Sequence, residues 1–218
     1  MTNNGTIKKP DQSELVDSIV KSDTKELVAD VTEFTVDQLL DDSFLKEIPV
    51  VEWVVKAKSI YHSISDRFLL AKLVRLLLSL SEMTKEEKEN WERENIKNEK
   101  NKKRIGEKLL LLVDKYTDLD KAEILGDVFK AYIRGALNNQ DVFDIGDALG
   151  ICRLSDLRML RDAKEEQGIP LEALIPAGLA IMQTNFSTGT TVDHINIDIP
   201  LHLTKTGSIL RKILRKEI

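Results

Sequence analysis

The sequence predicts a mainly α protein: a helical bundle closed by a small C-terminal β-hairpin and one further helix. Three observations carry that prediction. Apolar residues recur at helical spacing through most of the chain after residue 48. The 218 residues are 42% hydrophobic but only 5% aromatic, so Leu and Ile carry the core, a balance that favours helix packing over a β-sandwich. Strict alternation of apolar and polar residues appears once, between Asp193 and Leu203.

Taken in order, residues 1–12 are polar, contain Pro10 and read as a disordered tail. Residues 13–47 are acidic, with Leu15, Ile19, Leu27, Val31, Leu39 and Leu40 spread among the charges. One or two short, loosely attached amphipathic helices are expected there. Ile48-Pro49 marks a restart, because proline is tolerated at a first helical position. A helix over 49–64 follows from Val50, Val54, Ala57, Ile60, Tyr61 and Ile64, with Glu52 and Lys56 paired at i,i+4. Asp66 is a candidate cap for a second helix, 67–81, the most apolar stretch of the chain.

Thr84-Lys-Glu-Glu87 has the pattern of a capping box and opens a charged stretch, 85–108, expected to be helical and solvated. Ile105, Leu109, Leu112, Val113 and Tyr116 place a helix over 97–117. Asp118 or Asp120 caps the next, which ends near Gly135. Further helices are predicted over 140–149, stopping at Gly150, and from Ser155 to about Gln167, with Gly168 as a left-handed stop. Strands are expected over 179–186 and 193–203, joined by a turn at 187–190, with Pro200 at an edge or bulge. Thr204 caps a final basic helix over 205–216. The organisation is therefore a tail over 1–12, a bundle over 13–150 and a C-terminal segment over 151–218.

The net charge is −5 and the isoelectric point about 5.4, which disfavours nucleic acid as a partner. One cysteine, Cys152, allows no internal disulfide and fits a reducing compartment. The first residues lack the apolar run of a signal peptide, so a cytoplasmic location is expected.

The polar residues of helix 67–81, Lys72, Arg75 and Ser79, fall on one narrow stripe. The pair of helices over 49–81 reads first as a buried core hairpin. Its second reading is a membrane-active segment, in which Lys72 and Arg75 contact lipid or a partner. Lys72 and Arg75 would each cost roughly 2.5–3.5 kcal/mol at a bilayer centre, which disfavours a span and leaves surface binding open.

His194, Asp198 and His202 share one face of the second strand. At about 3.3 Å per residue, His194 and Asp198 lie roughly 13 Å apart, too far for one zinc ion. No metal or cofactor is expected. Asp118-Leu-Asp-Lys121 lacks the glycine and distal glutamate of a calcium loop and reads as a cap. Cys152, beside Arg153, reads as a buried structural thiol, and His62 has no assigned role. No phosphate-cradling loop, nucleophile elbow or zinc-protease helix is present, so no catalytic residue is named.

The C-terminal segment carries a further pattern: Leu157, Leu160, Leu174-Ile-Pro-Ala-Gly-Leu179, the hairpin, then Leu203-Thr-Lys-Thr-Gly207 with Leu210 and Leu214. It resembles the helix–wing–helix end of a winged-helix domain. Thr204 would cap the last helix and Gly207 would allow close packing on the wing. The helix that reads DNA in such domains is basic, whereas Pro170–Pro176 here holds Glu172 and no Lys or Arg. A degenerate, structural winged helix is the expectation.

Ser43-Phe-Leu-Lys-Glu-Ile-Pro-Val-Val51, Asp66-Arg-Phe68, Lys72 and the Leu203-Thr-x-x-Gly207 ending together resemble a group of uncharacterised bacterial proteins related in pattern to the abortive-infection alpha family. The resemblance implies a part in phage defence and brings no active site with it. The expected function is a non-enzymatic interaction or regulatory protein with a protein partner. Its candidate surfaces are the acidic N-terminal helices and the charged stretch 85–108. The alternatives are a membrane-perturbing effector acting through 49–81 and a DNA-binding regulator using the wing.

Overall fold

The computed structural model describes residues 13–21, 64–164, 169–182 and 201–218. The protein is mainly helical, with a two-stranded antiparallel sheet near the C-terminus followed by a helix, as the sequence predicts. It divides into two compact units that meet in sequence between Arg134 and Gly135. The predicted boundary at 150 lies later, so a helix assigned to the bundle belongs to the second unit. The predicted tail, the helix over 49–64, the turn at 187–190 and most of both long strands lie outside the described residues.

The first unit holds α1 (Ser13–Lys21), α2 (Ile64–Ser79), α3 (Lys85–Asn95), α4 (Glu99–Lys115) and α5 (Leu119–Ile133). Its core is α2, where every residue from Ala71 to Leu78 is buried. A helix apolar over most of its circumference is stable only when covered on nearly all sides. Here α5 and α4 do much of the covering. Asp66 lies inside α2 and does not cap it.

Short-range signals fix α3 and α4. Thr84 Oγ1 accepts from the Glu87 amide at 3.2 Å, and the Thr84 amide donates to Glu87 Oε2 at 2.7 Å, completing the predicted capping box. Hydrogen bonding to Thr84 holds the Glu87 carboxyl below its usual range despite some desolvation. The charged stretch then breaks close to the predicted helix start at 97: Ile96 is extended, and Asn98 restarts the chain by accepting from the Asn101 amide at 2.9 Å. Across the bundle Trp91, Phe129 and Tyr132 meet edge-on, with centroids 5.3 to 5.6 Å apart. Each such pair contributes about 0.5–1.5 kcal/mol beyond its buried area. Asp118 stands at the N-cap of α5 but makes no capping hydrogen bond.

The second unit holds α6 (Asn139–Ile151), α7 (Leu154–Asp162), α8 (Leu171–Leu174), a 3-10 turn (Ile175–Ala177), β1 (Ala180–Met182), β2 (Leu201–Leu203) and α9 (Lys205–Leu214). Asn138 and Asp141 form a second capping box at the start of α6, which runs through Gly150 instead of stopping there. Ser155 lies inside α7 and is not its cap. The turn after α8 ends on Gly178 at φ +69°, a conformation side chains disfavour. The strands pair Ala180 with Leu203 and Met182 with Leu201.

The junction between the hairpin and α9 is a small interlock. Thr204 Oγ1 accepts from the Gly207 amide at 3.1 Å, capping α9 as predicted. The Thr204 hydroxyl also donates to Gly178 O at 2.8 Å, and its amide donates to Leu179 O at 2.9 Å. A Cβ on Gly207 would stand 2.0 Å from Leu179 O, so the close packing expected of this glycine is present. Leu210 and Ile213 of α9 are buried, while Ile209 and Leu214 are half-buried.

Candidate functional site

Lys72 and Arg75 are the residues the sequence marks for contact with lipid or a partner, and the structure places both inside the first unit. Lys72 is 3% exposed and Arg75 5%. The Lys72 ammonium donates to the carbonyls of Asp114, at 2.9 Å, and Tyr116, at 2.8 Å. These are carbonyls of the last turn of α4, which have no partner within their own helix and draw a cation. The same ammonium lies 5.2 Å from the Phe68 ring centroid. Burial pushes the Lys72 pKa below 10.5, against the attraction of Asp114.

The rest of the stripe faces α5. Arg75 Nε lies 3.7 Å from Glu123 Oε2. Ser79 stands opposite Gly126, where an added Cβ would come within 1.5 Å of its Oγ. The pairs advance together, 75 with 123 and 79 with 126, so α2 and α5 run in the same direction. The polar stripe is thus the seam of a helix pair. As folded, neither cation is presented for contact, which fits the core hairpin read first from the sequence. Leu73, Leu76, Leu77 and Leu80 are buried as well.

The charged stretch 85–108 also differs from the solvated face expected of it. Lys88, Trp91, Lys102 and Ile105 are buried. Part of the cover is α1, which seats Leu15, Val16, Ile19 and Val20 against α4 and α3. It is therefore closely packed, not loosely attached. Lys102 Nζ lies 2.7 Å from Asp17 Oδ1 and 2.9 Å from Glu92 Oε1, joining three helices. Two surfaces expected for a partner thus cover each other in part.

Nine residues form a marginal helix alone, so α1 depends on this packing. Burial alone would lower the Lys102 pKa, but hydrogen bonds to Asp17 and Glu92 and their charges outweigh it and leave it raised above 10.5. Lys102 therefore stabilises the fold fully below about pH 10.5, and the contribution is lost as pH rises through the raised value. Lys102→Met should cost about 1–3 kcal/mol, less than a fully buried pair because both carboxylates are about one third exposed. Urea unfolding measures the loss. Hydrogen exchange should rise first over residues 13–21, and unchanged exchange there would refute the anchoring role.

Of the other residues marked in the sequence, His202 is exposed on β2, and His62, His194 and Asp198 lie outside the described residues. Among the described residues, no group of three His, Cys, Asp or Glu side chains could hold a metal ion. Lys121 Nζ lies 3.9 Å from Asp118 Oδ2, a local ion pair at the start of α5. Cys152 is buried, and its amide closes the end of α6 by donating to Ala148 O. No described helix is long and apolar enough to cross a membrane.

In the second unit, α8 (Leu171–Leu174) is the short helix that precedes the hairpin. It has four residues, of which Glu172 is the charged one. Two exposed apolar side chains follow on β1: Ile181 is 56% exposed and Met182 53%. The sequence reading did not single them out, because it placed both within a longer strand.

No family model matches the chain, and no curated protein or solved structure matches it.

Proposed function

We propose that the protein is a non-enzymatic helical interaction protein, a component of bacterial phage defence whose partner is another protein. The observation that carries the reading is the pair Ile181 and Met182 on β1. Successive strand residues point to opposite faces, so this end of the strand is apolar and open on both. A two-stranded hairpin is weak alone and gains from an added strand, a recurrent way of binding extended peptides. The C-terminal helix–wing–helix order then serves as a winged-helix-like module for protein contact. The defence context comes from the resemblance of 43–51, 66–68, Lys72 and 203–207. The membrane reading has less to stand on, because Leu73, Leu76, Leu77, Leu78 and Leu80 are buried together with Lys72 and Arg75.

The test is phage plating on cells expressing the chain or the Ile181→Asp/Met182→Asp variant. The parent should lower plating efficiency, and the folded variant should not. An apolar interface anchor is worth about 2 kcal/mol, roughly 30-fold in partner affinity. Equal protection by parent and variant would remove the β1 surface from the proposal. Absence of protection by the parent against a broad phage panel would remove the defence role.

A further inference from the structure

The ends of α7 and α9 bring an unusual density of cations together in a chain whose net charge is −5. Residues 153–164 and 205–218 hold nine Lys or Arg against three Asp or Glu. Most gather at one end. Arg211 Nη2 donates to Ala163 O at 2.6 Å, Arg215 Nε donates to Arg161 O at 2.8 Å, and a second Arg215 nitrogen also reaches Ala163 O. Those carbonyls close α7, and a helix C-terminus attracts cations. Two arginines of α9 are thereby explained as structure.

The others are not needed for that task. Arg158, Arg161, Lys164, Lys212 and Lys216 are exposed. Among the described residues the carboxylates here are Asp162 and Glu217, and Glu165 and Glu166 follow Lys164 in the sequence. Arg161 grips Asp162 with two nitrogens, at 2.7 and 3.1 Å. The Asp162 carboxyl sits below its usual range, first through that grip, with the charges of Arg161, Arg158 and Arg215 adding to it. Arg215 also lies 3.7 Å from Glu217. Among the described residues seven cations stand against two carboxylates, and with Glu165 and Glu166 counted from the sequence the balance stays positive.

We propose that this α7–α9 surface binds the phosphate backbone of double-stranded nucleic acid without reading its sequence. The chemistry favours a phosphate backbone over an acidic protein. A protein interface centres on aromatic or packed apolar anchors, and among the described residues the exposed large apolar side chains on these two helix ends are Met159 and Ile218. Phosphate contacts need only cations at suitable spacing and carry no sequence information. The short acidic-bearing α8 supplies no basic side chain for a groove, so affinity without specificity follows.

The test uses fluorescence anisotropy of the full chain with two labelled 20-base-pair duplexes of unrelated sequence, from 50 to 200 mM salt, with polyglutamate as the acidic-polymer control. Both duplexes should bind equally. With about four phosphates neutralised, affinity should fall roughly 100-fold across that range. Lys212→Glu/Lys216→Glu changes exposed residues and should weaken binding at least about 10-fold at 50 mM salt. Lys97→Glu/Lys100→Glu, a pair of exposed lysines in the first unit, should leave it unchanged. Failure to bind at 50 mM salt, equal binding by the α9 variant, or equal affinity for polyglutamate would overturn the proposal. The last result would assign the surface to an acidic protein.

Discussion

Gly207→Ala should unfold the C-terminal unit. The added methyl would stand 2.0 Å from Leu179 O, 3.0 Å from Leu179 C and 3.2 Å from Leu203 Cδ2. Two of these atoms are backbone, so no rotamer change relieves the clash. Moving α9 away would break the Thr204–Leu179 and Thr204–Gly178 hydrogen bonds, each worth about 1 kcal/mol. It would also uncover Leu210 and Ile213, which cost about 1.5–3 kcal/mol each when fully exposed. A loss above about 3 kcal/mol is expected. Chemical denaturation and amide exchange over 201–214 measure it. Ser208→Ala, one exposed position along, should stay within about 0.5 kcal/mol. If Gly207→Ala matched that control, the interlock would not hold the unit together.

Gly126→Val should destabilise the first unit nearly as much. A Cβ at 126 meets Ser79 Oγ at 1.5 Å, Ser79 Cβ at 2.8 Å and Leu76 O at 3.0 Å. The serine hydroxyl can rotate, at the expense of its hydrogen bond to Leu76 O at 2.7 Å. Its Cβ and the carbonyl cannot, so α2 and α5 must part. Overpacking of this kind costs about 1–3 kcal/mol, and the branched side chain puts valine at or above the upper end. Gly126→Ala/Ser79→Gly removes the two nearest atoms and should recover more than half of the loss, read from urea midpoints at constant slope. An unrescued double variant would mean that Leu76 O, not the serine, sets the distance of approach.

What the sequence revealed depended on range. Thr84 with Glu87, and Thr204 with Gly207, are three residues apart, so each cap is written in adjacent letters and was found. The break at 96–98 is legible to within two residues: the predicted helix begins at 97 and α4 begins at Glu99, after Asn98, one of three asparagines at 95, 98 and 101. Asp118 and Ser155 have the right chemistry for capping, yet the backbone around them does not put their oxygens on an amide. The stripe of Lys72, Arg75 and Ser79 is legible as a stripe, and of its two readings the buried hairpin is the one that the burial of Lys72 and Arg75 fits. Its partners for Lys72 are main-chain carbonyls 42 and 44 residues away, and a carbonyl leaves no mark in a sequence. The same holds for Arg211 and Arg215, which close α7 through backbone oxygens. Charge in this chain is often interior mortar, and composition alone does not distinguish that from a wet face.

The edge-on cage around Trp91 makes the protein its own optical gauge. An indole shut away from water emits to the blue and resists dissolved quenchers, and here Phe129 and Tyr132 maintain that shelter from a different helix. Any loosening between α3 and α5 would admit solvent to the ring and shift its emission red. With Trp53→Phe removing the second indole, one residue would report the cohesion of the bundle without an attached dye.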